Sequence, residues 1–348
     1  MSKQYQYCVI GSFVTGKDTF SGQAVKTRNF TSELEARLGQ AQVCRVDTYG
    51  WKKHPVRLLT KIIKGMKNSE QAVVLPARRG VYVIPRIVQV LNGVFHNKLR
   101  YVVIGGWLPE FVKCSASLKK NLLSFDSIHV ETNTMKKALN SMGLQNICLL
   151  PNFKRIQVLS MEELVQSEQI PLRLCTFSRV IKQKGIEDAV EAVRKINEKY
   201  QKTVYCLDIY GKVGETESAW FEGLQQRFPT SVRYHGAVDP SKSVEILKDY
   251  FMLLFPTRFF TEGVPGTLID AYAAGVPVVV SRWESYADVM DEGLSGKSYP
   301  FGDEAALCSL LDNIAQNPAE MNRMKAYCLM KAKEFSPETV IQDFITTR

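Results

Sequence analysis

The stretch that decides the fold is Phe255-Pro-Thr-Arg-Phe-Phe-Thr-Glu262-Gly-Val-Pro-Gly-Thr-Leu-Ile-Asp270-Ala-Tyr-Ala-Ala-Gly275-Val-Pro277-Val-Val-Val-Ser281. It begins at the end of an apolar run, 251–255, which predicts a buried parallel strand. A turn rich in glycine and proline follows, then a helix over 266–274 that Gly275 ends. A second apolar strand is predicted over 278–280. This order predicts an open α/β sheet with the turn at the carboxyl end of a strand, where such sheets bind ligands.

The turn itself is suited to bind an anion. The backbone amides of 263–268 and the positive N-terminal end of the helix lack partners within the helix. Glu262 comes just before the helix and Asp270 lies inside it. Eight helical steps between them would span about 12 Å. One carboxylate can therefore serve the reacting end of a long phosphorylated ligand while the other serves its far end.

These residues resemble the signature of family 4 of the retaining glycosyltransferases, which have the GT-B fold. The signature is a Glu, seven residues, a second acid, then a helix of small residues and Gly-x-Pro-Val-Val. Here the second acid is Asp270 where Glu is usual, and Glu262-Gly-Val-Pro-Gly266 replaces Glu-Gly-Phe-Gly. The resemblance implies that Glu262 is catalytic beside the donor sugar and that Asp270 grips the ribose. It also implies that the donor diphosphate is bound by Gly263, Val264, Pro265, Gly266, Thr267 and Leu268.

A second stretch, Leu172-Arg-Leu-Cys-Thr-Phe-Ser178-Arg179-Val-Ile-Lys-Gln-Lys184-Gly185, resembles the other motif of that family. There an Arg and a Lys neutralise the donor diphosphate, which assigns this role to Arg179 and Lys184. The chemistry agrees, because a guanidinium forks two oxygens and an ammonium adds a point charge. Two later turns complete the predicted donor site with Gly211 and Val238. In the second turn, which resembles the base-binding loop, His235 suits a structural role and a ligand-facing role equally.

The amino-terminal half resembles the family less. After a strand predicted over 6–14, Gly11-x4-Gly16-Lys17-Asp18 nearly matches a phosphate-binding Walker A loop. Asp18 replaces the metal-binding hydroxyl and would repel phosphate, so an NTPase is disfavoured. The resemblance instead suggests an acceptor-side loop with Gly16 and Gly22, although a plain strand–helix connection also fits. Where the family often has a His near the donor sugar, this chain has Gly105-Gly106, and that contact is not carried over.

Three further predictions concern the same half. Apolar runs at 73–75, 81–84 and 101–107 predict strands that alternate with helices, and His129 is predicted to be packed rather than catalytic. A helix is predicted over 56–67. Its apolar side carries Leu58, Leu59, Ile62, Ile63 and Met66, and its basic side carries Arg57, Lys61, Lys64 and Lys67. This amphipathic pattern fits a sheet-packing helix with solvated lysines, and it also fits a helix that meets anionic lipid headgroups.

Composition limits the classes of function. The formal net charge of +10 favours an anionic partner: a membrane surface, a nucleotide or a nucleic acid. No apolar run is long enough to span a membrane, and the first residues lack the apolar core of a signal peptide. We therefore expect a cytoplasmic protein, peripheral at most on the inner membrane face. The eight cysteines lack zinc spacing and Asp-x-Asp is absent, so no metal or cofactor is expected.

Together these features predict an α/β protein of GT-B architecture, with two Rossmann-like domains facing across a cleft. The predicted parts are an acceptor domain (1–165), a donor domain (166–328) and a terminal helix returning to the first domain (329–348). Residues 154–171 are predicted to be the linker.

The predicted activity is that of a retaining, metal-independent hexosyltransferase, with a UDP- or GDP-sugar as donor. The acceptor is a glycan or a lipid-linked molecule, and the expected process is cell-surface polysaccharide biosynthesis. The alternative is a non-catalytic basic module that binds nucleic acid or a membrane surface. It explains the charge but leaves the register of Arg179, Lys184, Glu262 and Asp270 unexplained. The basic, aromatic surface of a nucleic-acid groove is also not evident, so nucleic acid is not an expected partner.

Overall fold

The computed structural model describes residues 3–14, 22–76, 78 and 80–346. The chain divides into two compact units, Met1–Phe153 with Pro337–Arg348, and Lys154–Ser336. It therefore passes between the units at 153/154 and again at 336/337, whereas the sequence led us to expect 165/166 and 328/329. The described residues form two six-stranded sheets whose strands are all parallel, so the predicted α/β class is confirmed.

The first unit contains a sheet of strand order β2-β1-β3-β4-β5-β6. Its strands are β1 (Tyr5–Gly11), β2 (Val43–Asp47), β3 (Ser69–Leu75), β4 (Lys98–Val102), β5 (Ser127–Val130) and β6 (Ile147–Leu149). Its helices are α1 (Gly22–Leu38), α2 (Pro55–Lys67), α3 (Ile84–Phe95), α4 (Leu108–Cys114), α5 (Ala116–Leu122) and α6 (Asn133–Ser141). Buried residues of α2 to α6 share one apolar cluster with the sheet, whereas Phe30 and Leu34 of α1 join a second cluster.

The second unit contains a sheet of strand order β12-β11-β10-β7-β8-β9. Its strands are β7 (Leu172–Phe177), β8 (Tyr205–Tyr210), β9 (Val232–Gly236), β10 (Met252–Phe255), β11 (Val278–Ser281) and β12 (Gly296–Tyr299). Its helices are α7 (Ile186–Tyr200), α8 (Ser218–Gln225), α9 (Ser243–Leu247), α10 (Gly266–Ala273), α11 (Glu304–Gln316) and α12 (Ala319–Lys333). The strand, turn, helix and strand predicted from 255–281 are thus β10, the glycine-rich turn, α10 and β11.

The last helix, α13 (Pro337–Thr346), belongs to the first unit. Its Phe344 ring makes an edge-to-face contact with Phe30, with the ring centroids 4.9 Å apart. The buried guanidinium of Arg100 donates a hydrogen bond to the Phe344 carbonyl and lies 4.7 Å from the ring centroid. Aromatic and cation–π contacts of this kind anchor α13 in the core. Residues 329–333, expected in the terminal element, are instead the end of α12 in the second unit.

Two local predictions differ from the structure. Residues 81–84 are not a strand: the Gly80 carbonyl accepts from the amides of Val83 and Ile84, and Pro85 favours the first turn of α3. The expected linker 154–171 is part of the second unit. Ile156 and Val158 pack on its apolar cluster, and the Leu159 amide donates to the Ala273 carbonyl at 2.9 Å. These apolar residues are spaced among polar ones, which hid their packing role.

His129 is packed in the core of the first unit, as the structure of β5 shows. Its side chain is 2% exposed, Nε2 lies 2.9 Å from Ser127 Oγ, and its ring centroid lies 4.7 Å from that of the tilted Phe344 ring. Burial, with smaller contributions from the charges of Arg100, Lys98 and Lys26, lowers the His129 pKa to about 3. The ring is therefore neutral in the folded protein at neutral pH.

This pKa predicts a loss of stability in mild acid. The unfolded chain binds a proton below its ordinary pKa of about 6.5, whereas the folded chain does not until about pH 3. Stability is therefore lost as the pH falls from about 6.5, and His129 costs about 2 kcal/mol at pH 5. Urea unfolding at pH 7 and pH 5 should show a smaller difference for His129→Leu than for the wild type. His96 is exposed, so His96→Asn should show the same difference between pH 7 and pH 5 as the wild type. If His129→Leu also shows the wild-type difference, His129 is not the cause of the acid sensitivity.

Candidate functional site

The second unit has a topological switch point between β7 and β10. From β7 the chain proceeds outward to β8 and β9, then returns to β10 and proceeds the other way to β11 and β12. The connections that leave the carboxyl ends of β7 and β10 diverge here, which opens a crevice in sheets of this type. The two connections carry Arg179 with Lys184, and Glu262. The motifs singled out in the sequence therefore meet at one edge of one sheet.

Lys184 and Glu262 form an ion pair at this point, between Nζ and Oε1. Their side chains are 12% and 17% exposed, so the pair is partly shielded from water. The buried Thr257 hydroxyl also donates to Glu262 Oε1, at 3.3 Å. The ammonium of Lys184 lies 5.0 Å from the Phe255 ring centroid and 5.3 Å from that of Phe259. The predicted catalytic acid and the predicted phosphate-binding lysine therefore neutralise each other.

The pair depends on a close backbone approach at Gly185. This residue has φ +68°, and a Cβ built on it would lie 1.8 Å from the Pro256 carbonyl oxygen. Only glycine allows the turn before α7 to touch the segment after β10 in this way. The Arg258 amide fixes the contact by donating to the Gln183 carbonyl (2.8 Å), and the Ser281 hydroxyl of β11 holds the same segment by donating to the Thr257 carbonyl (2.6 Å). Gly185 thereby holds Lys184 within reach of Glu262.

Gly185→Ala is therefore expected to lower the free energy of unfolding by about 2 kcal/mol, from the positive φ and the clash together. Gly236→Ala is the matched control, because Gly236 has φ +78° but its Cβ would meet no atom within 4 Å. The control should cost only about 1 kcal/mol. Urea unfolding of both variants measures the difference, and equal losses would remove the close approach as a constraint.

The N-terminal end of α10 has no side-chain cap. Its N-cap residue is Pro265, for which no capping hydrogen bond is found among the described residues. The amide of Leu268 bonds to the Pro265 carbonyl at 3.1 Å. The Thr267 hydroxyl is buried without a hydrogen-bond partner in the described part of the chain. Backbone amides and a hydroxyl at the positive end of a helix suit an anion, which agrees with the diphosphate role predicted for 263–268.

Asp270 lies inside α10, as predicted, and is buried. It is 3% exposed, and its Oδ2 lies 2.5 Å from Nζ of Lys154. Burial raises the Asp270 pKa, and the charge and hydrogen bond of Lys154 oppose this rise. Lys154 was not predicted, because it lies 116 residues away in a segment expected to be a linker. The ribose-binding role of Asp270 stays a prediction. A ribose bound there would have to share the carboxylate of Asp270 with Lys154.

The other predicted donor residues follow the same edge of the sheet. Gly211 comes directly after β8 with φ +141°, and its Cβ would lie 1.7 Å from the Ser178 carbonyl oxygen. This contact packs the connection that bears the exposed Arg179 against the end of β8. Val238 follows β9, the edge strand, so it lies farthest along the sheet from the switch point. From the switch point outward, the predicted donor residues therefore follow one another along this edge in the order Glu262, Arg179, Gly211 and Val238.

A polar cluster that the sequence did not reveal lies between β8 and β9. Asp208 accepts hydrogen bonds from Tyr250 (2.7 Å) and Arg173 (3.2 Å), and it lies 2.7 Å from His235 Nε2. Burial opposes ionisation of Asp208, but the hydrogen bonds from Tyr250, His235 and Arg173 outweigh it and lower the Asp208 pKa. The His235 ring stacks on Tyr210, with centroids 4.8 Å apart. Of the two roles left open for His235, the structure supplies contacts for the structural one.

On the acceptor side, Gly16 lies outside the described residues, so its predicted role stays a prediction. Gly22 is the first residue of α1, and a Cβ there would meet no atom within 4 Å.

Within 3–14, 22–76, 78 and 80–346, no group of three or more His, Cys, Asp or Glu side chains is placed to hold a metal ion. Metal independence stays a prediction. No helix in the same described ranges is long and apolar enough to cross a membrane.

Comparison with known proteins agrees with this geometry. Residues 171–317 match the family model of glycosyl transferases group 1. The matched stretch contains β7 to α11, and therefore Arg179, Lys184, Glu262 and Asp270. WcaL of Salmonella typhimurium, whose name assigns it to colanic acid biosynthesis, is 29% identical over 185 residues, 52% of this chain and 43% of that protein. The amylovoran biosynthesis glycosyltransferase AmsK of Erwinia amylovora is 26% identical over 156 residues, 43% of this chain and 38% of AmsK.

The chain thus spans less than half the length of these curated relatives. Solved structures extend the likeness to both units. HepE of Anabaena, solved with UDP and glucose, superposes with a TM-score of 0.73 at 11% identity and covers 99% of each chain. Sucrose-phosphate synthase of Thermosynechococcus elongatus superposes with a TM-score of 0.75 at 14% identity, over 98% of this chain and 97% of its own. The chain therefore has the GT-B fold, as the sequence predicted.

Proposed function

We propose that this chain is a retaining glycosyltransferase of family 4 that transfers a hexosyl unit from a UDP- or GDP-sugar. The observation that carries the proposal is the Lys184–Glu262 ion pair, which lies at the switch point of a group 1 domain. Because Gly185 is required to hold the lysine and the carboxylate together, the pair is a fixed part of the fold and not two side chains of a solvated loop. The open end of α10 adds the anion-binding amides that a diphosphate needs.

The proposed reaction breaks the bond between the sugar's anomeric carbon and the diphosphate, and forms a bond from that carbon to an acceptor hydroxyl oxygen. The acceptor proton leaves with the released nucleoside diphosphate or passes to water. Negative charge grows on the diphosphate as its bond breaks. Arg179, Lys184 and the amides at the start of α10 are the groups that stabilise this charge, so no metal is required in the proposal.

The ion pair suggests how the site is prepared for a donor. Lys184 neutralises Glu262 in the ion pair. A diphosphate carries more negative charge than one carboxylate, so it competes for the ammonium of Lys184. Glu262 then gains freedom to accept from a hydroxyl of the donor sugar or to stabilise positive charge at its anomeric carbon. The same two residues thus pair with each other before binding, and after it Lys184 contacts the phosphate while Glu262 contacts the sugar.

The proposed setting is the assembly of a cell-surface polysaccharide, with a glycan or lipid-linked acceptor, at the cytoplasmic side of a membrane. The names of the matched relatives support it, since WcaL and AmsK are named for the biosynthesis of colanic acid and amylovoran. The donor proposal draws support from HepE, which was solved with UDP and glucose.

A panel of UDP- and GDP-sugars tested for protection against thermal unfolding addresses the proposal directly. A donor at 100 times its Kd adds about 2.7 kcal/mol of stability, which is easily measured. Donors that protect are then assayed for turnover in EDTA. Protection by no nucleotide sugar, together with salt-sensitive binding of oligonucleotides, would favour the non-catalytic alternative. A strict requirement for Mg²⁺ or Mn²⁺ would contradict the metal-free part alone.

A further inference from the structure

An exposed surface on the first unit combines apolar and basic side chains in a way that the proposed active site does not use. We call it the α2–α3 surface. The two helices pack side by side, and the carbonyl of Met66, at the end of α2, accepts from Asn97, just after α3, at 3.0 Å. Four apolar side chains of this surface are well exposed: Val56 (73%), Leu59 (40%), Val90 (70%) and Val94 (72%).

Helical spacing sorts the outward half of α2 into two rows. Leu58, Ile62, Gly65 and Met66 are buried against the sheet. Of the remaining residues, Val56, Leu59 and Ile63 are spaced three and four apart and therefore form one row. Arg57, Lys61 and Lys64 have the same spacing and form the neighbouring row, and all three are exposed.

The position of Gly65 shows which row faces α3. Gly65 lies four residues after Lys61 and therefore beside the basic row. A Cβ built on Gly65 would lie 3.7 Å from the sulfur of Cys44, which belongs to the edge strand β2, so the basic row lies toward the edge strand. The apolar row of α2 therefore lies toward α3, where Val90 and Val94 continue it.

The charges on this surface have one sign. The sequences of α2 and α3 contain no acidic residue, and their basic residues are Arg57, Lys61, Lys64, Lys67 and Arg86. The helices beyond, α4 to α6, contribute one acid, Glu110, against Lys113, Lys119, Lys120, Lys136 and Lys137. A protein partner recognised by charge would need a matching acidic patch. An anionic bilayer supplies that charge over any area and accepts small apolar side chains between its headgroups.

We propose that the α2–α3 surface docks this chain on an anionic lipid bilayer, with Val56, Leu59, Val90 and Val94 at the headgroup level and the basic row on lipid phosphates. This goes beyond the proposed transferase activity, since docking concerns another surface and is measured without a donor. If the proposed function also holds, docking brings the chain to the membrane that holds lipid-linked acceptors.

Sedimentation with vesicles tests the docking. Wild type should pellet with phosphatidylglycerol vesicles at low salt, release at high salt, and stay in solution with phosphatidylcholine vesicles. Each basic side chain near an anionic surface is worth about fivefold in partitioning. The combined variant Arg57→Glu, Lys61→Glu, Lys64→Glu and Lys67→Glu should therefore partition at least about 600-fold more weakly. Val90→Asn with Val94→Asn should release at lower salt than wild type.

A control variant separates this surface from net charge. Lys195, Lys202, Arg233 and Arg323 are exposed residues of the second unit, and changing all four to Glu alters the net charge equally. This control should pellet like wild type, and circular dichroism should report the same fold for every variant. Equal pelleting of the α2 variant and wild type would overturn the proposal, as would equal losses in both variants. Inorganic phosphate at the concentration of lipid phosphate should not release the protein from the vesicles. Release by inorganic phosphate would indicate a phosphate site instead of a docking surface.

Discussion

Glu262→Gln is expected to lower turnover of a nucleotide sugar by about 100-fold or more, a loss of about 2.7 kcal/mol in transition-state stabilisation. The amide keeps the shape of the side chain and removes the negative charge that the proposed reaction needs beside the sugar. The substitution also ends the ion pair with Lys184. Because the ammonium is then free for phosphate, the variant should bind nucleoside diphosphate at least as tightly as wild type.

This combination of lost turnover and retained binding distinguishes a catalytic Glu262 from a structural one. Calorimetry with the nucleoside diphosphate gives the affinity, and initial rates of sugar release give turnover. Glu245→Gln, on the exposed side of α9, is a matched control that should behave like wild type. Wild-type turnover in Glu262→Gln would show that the carboxylate does not act on the sugar. Loss of diphosphate binding along with turnover would assign it to the architecture of the site.

Lys184→Ala and Arg179→Ala should each weaken binding of the nucleoside diphosphate by about ten- to a hundredfold. A charged hydrogen bond to a partly shielded anion is worth about 1.5–3 kcal/mol, which corresponds to this range. Binding of the nucleoside, which lacks phosphate, should change little. Isothermal titration of the nucleoside diphosphate and of the nucleoside into each variant gives both affinities, and their ratio measures the contribution of the phosphates.

Lys182→Ala is the control for charge alone. Lys182 lies two residues from Lys184, but its ammonium lies 6.0 Å from the Trp220 ring centroid, away from Glu262. Its loss should leave both affinities within about twofold of wild type. If Lys182→Ala weakens diphosphate binding as much as Lys184→Ala does, the effect is general attraction by a basic loop. Equal losses for nucleoside and diphosphate in Lys184→Ala would also exclude a phosphate contact.

Much of the second unit could be predicted because its signals are local. The run that ends at Phe255, the glycine-rich turn and the small residues of α10 follow one another without interruption. Each element boundary there falls within a few residues of the predicted one. Arg179, Lys184 and Glu262 could be singled out for the same reason, since each lies at a fixed distance from the end of a strand. Parallel strands then bring those ends to one edge.

The pairings within the site could not be predicted, because they join residues far apart in sequence. Lys184 and Glu262 are 78 residues apart, and Lys154 and Asp270 are 116 apart. Periodicity carries no information on such contacts, so each acid was assigned a ligand and neither was assigned a protein partner. The 154–171 segment was taken for a linker for a similar reason. Its packing residues, Ile156 and Val158, alternate with charged and polar ones and do not form an apolar run.

The return of α13 to the first unit has a consequence for the order in which the protein is made. The core around Tyr7, Phe30 and His129 is completed by Phe344, about 190 residues after Phe153 has been synthesised. At about 5–20 residues per second, the ribosome needs roughly 10–40 s to reach it. During that time the whole second unit emerges and can fold, while the first unit still exposes the apolar groove that α13 will fill. The unit that contains β1 is therefore the last to be finished, because its core waits for α13.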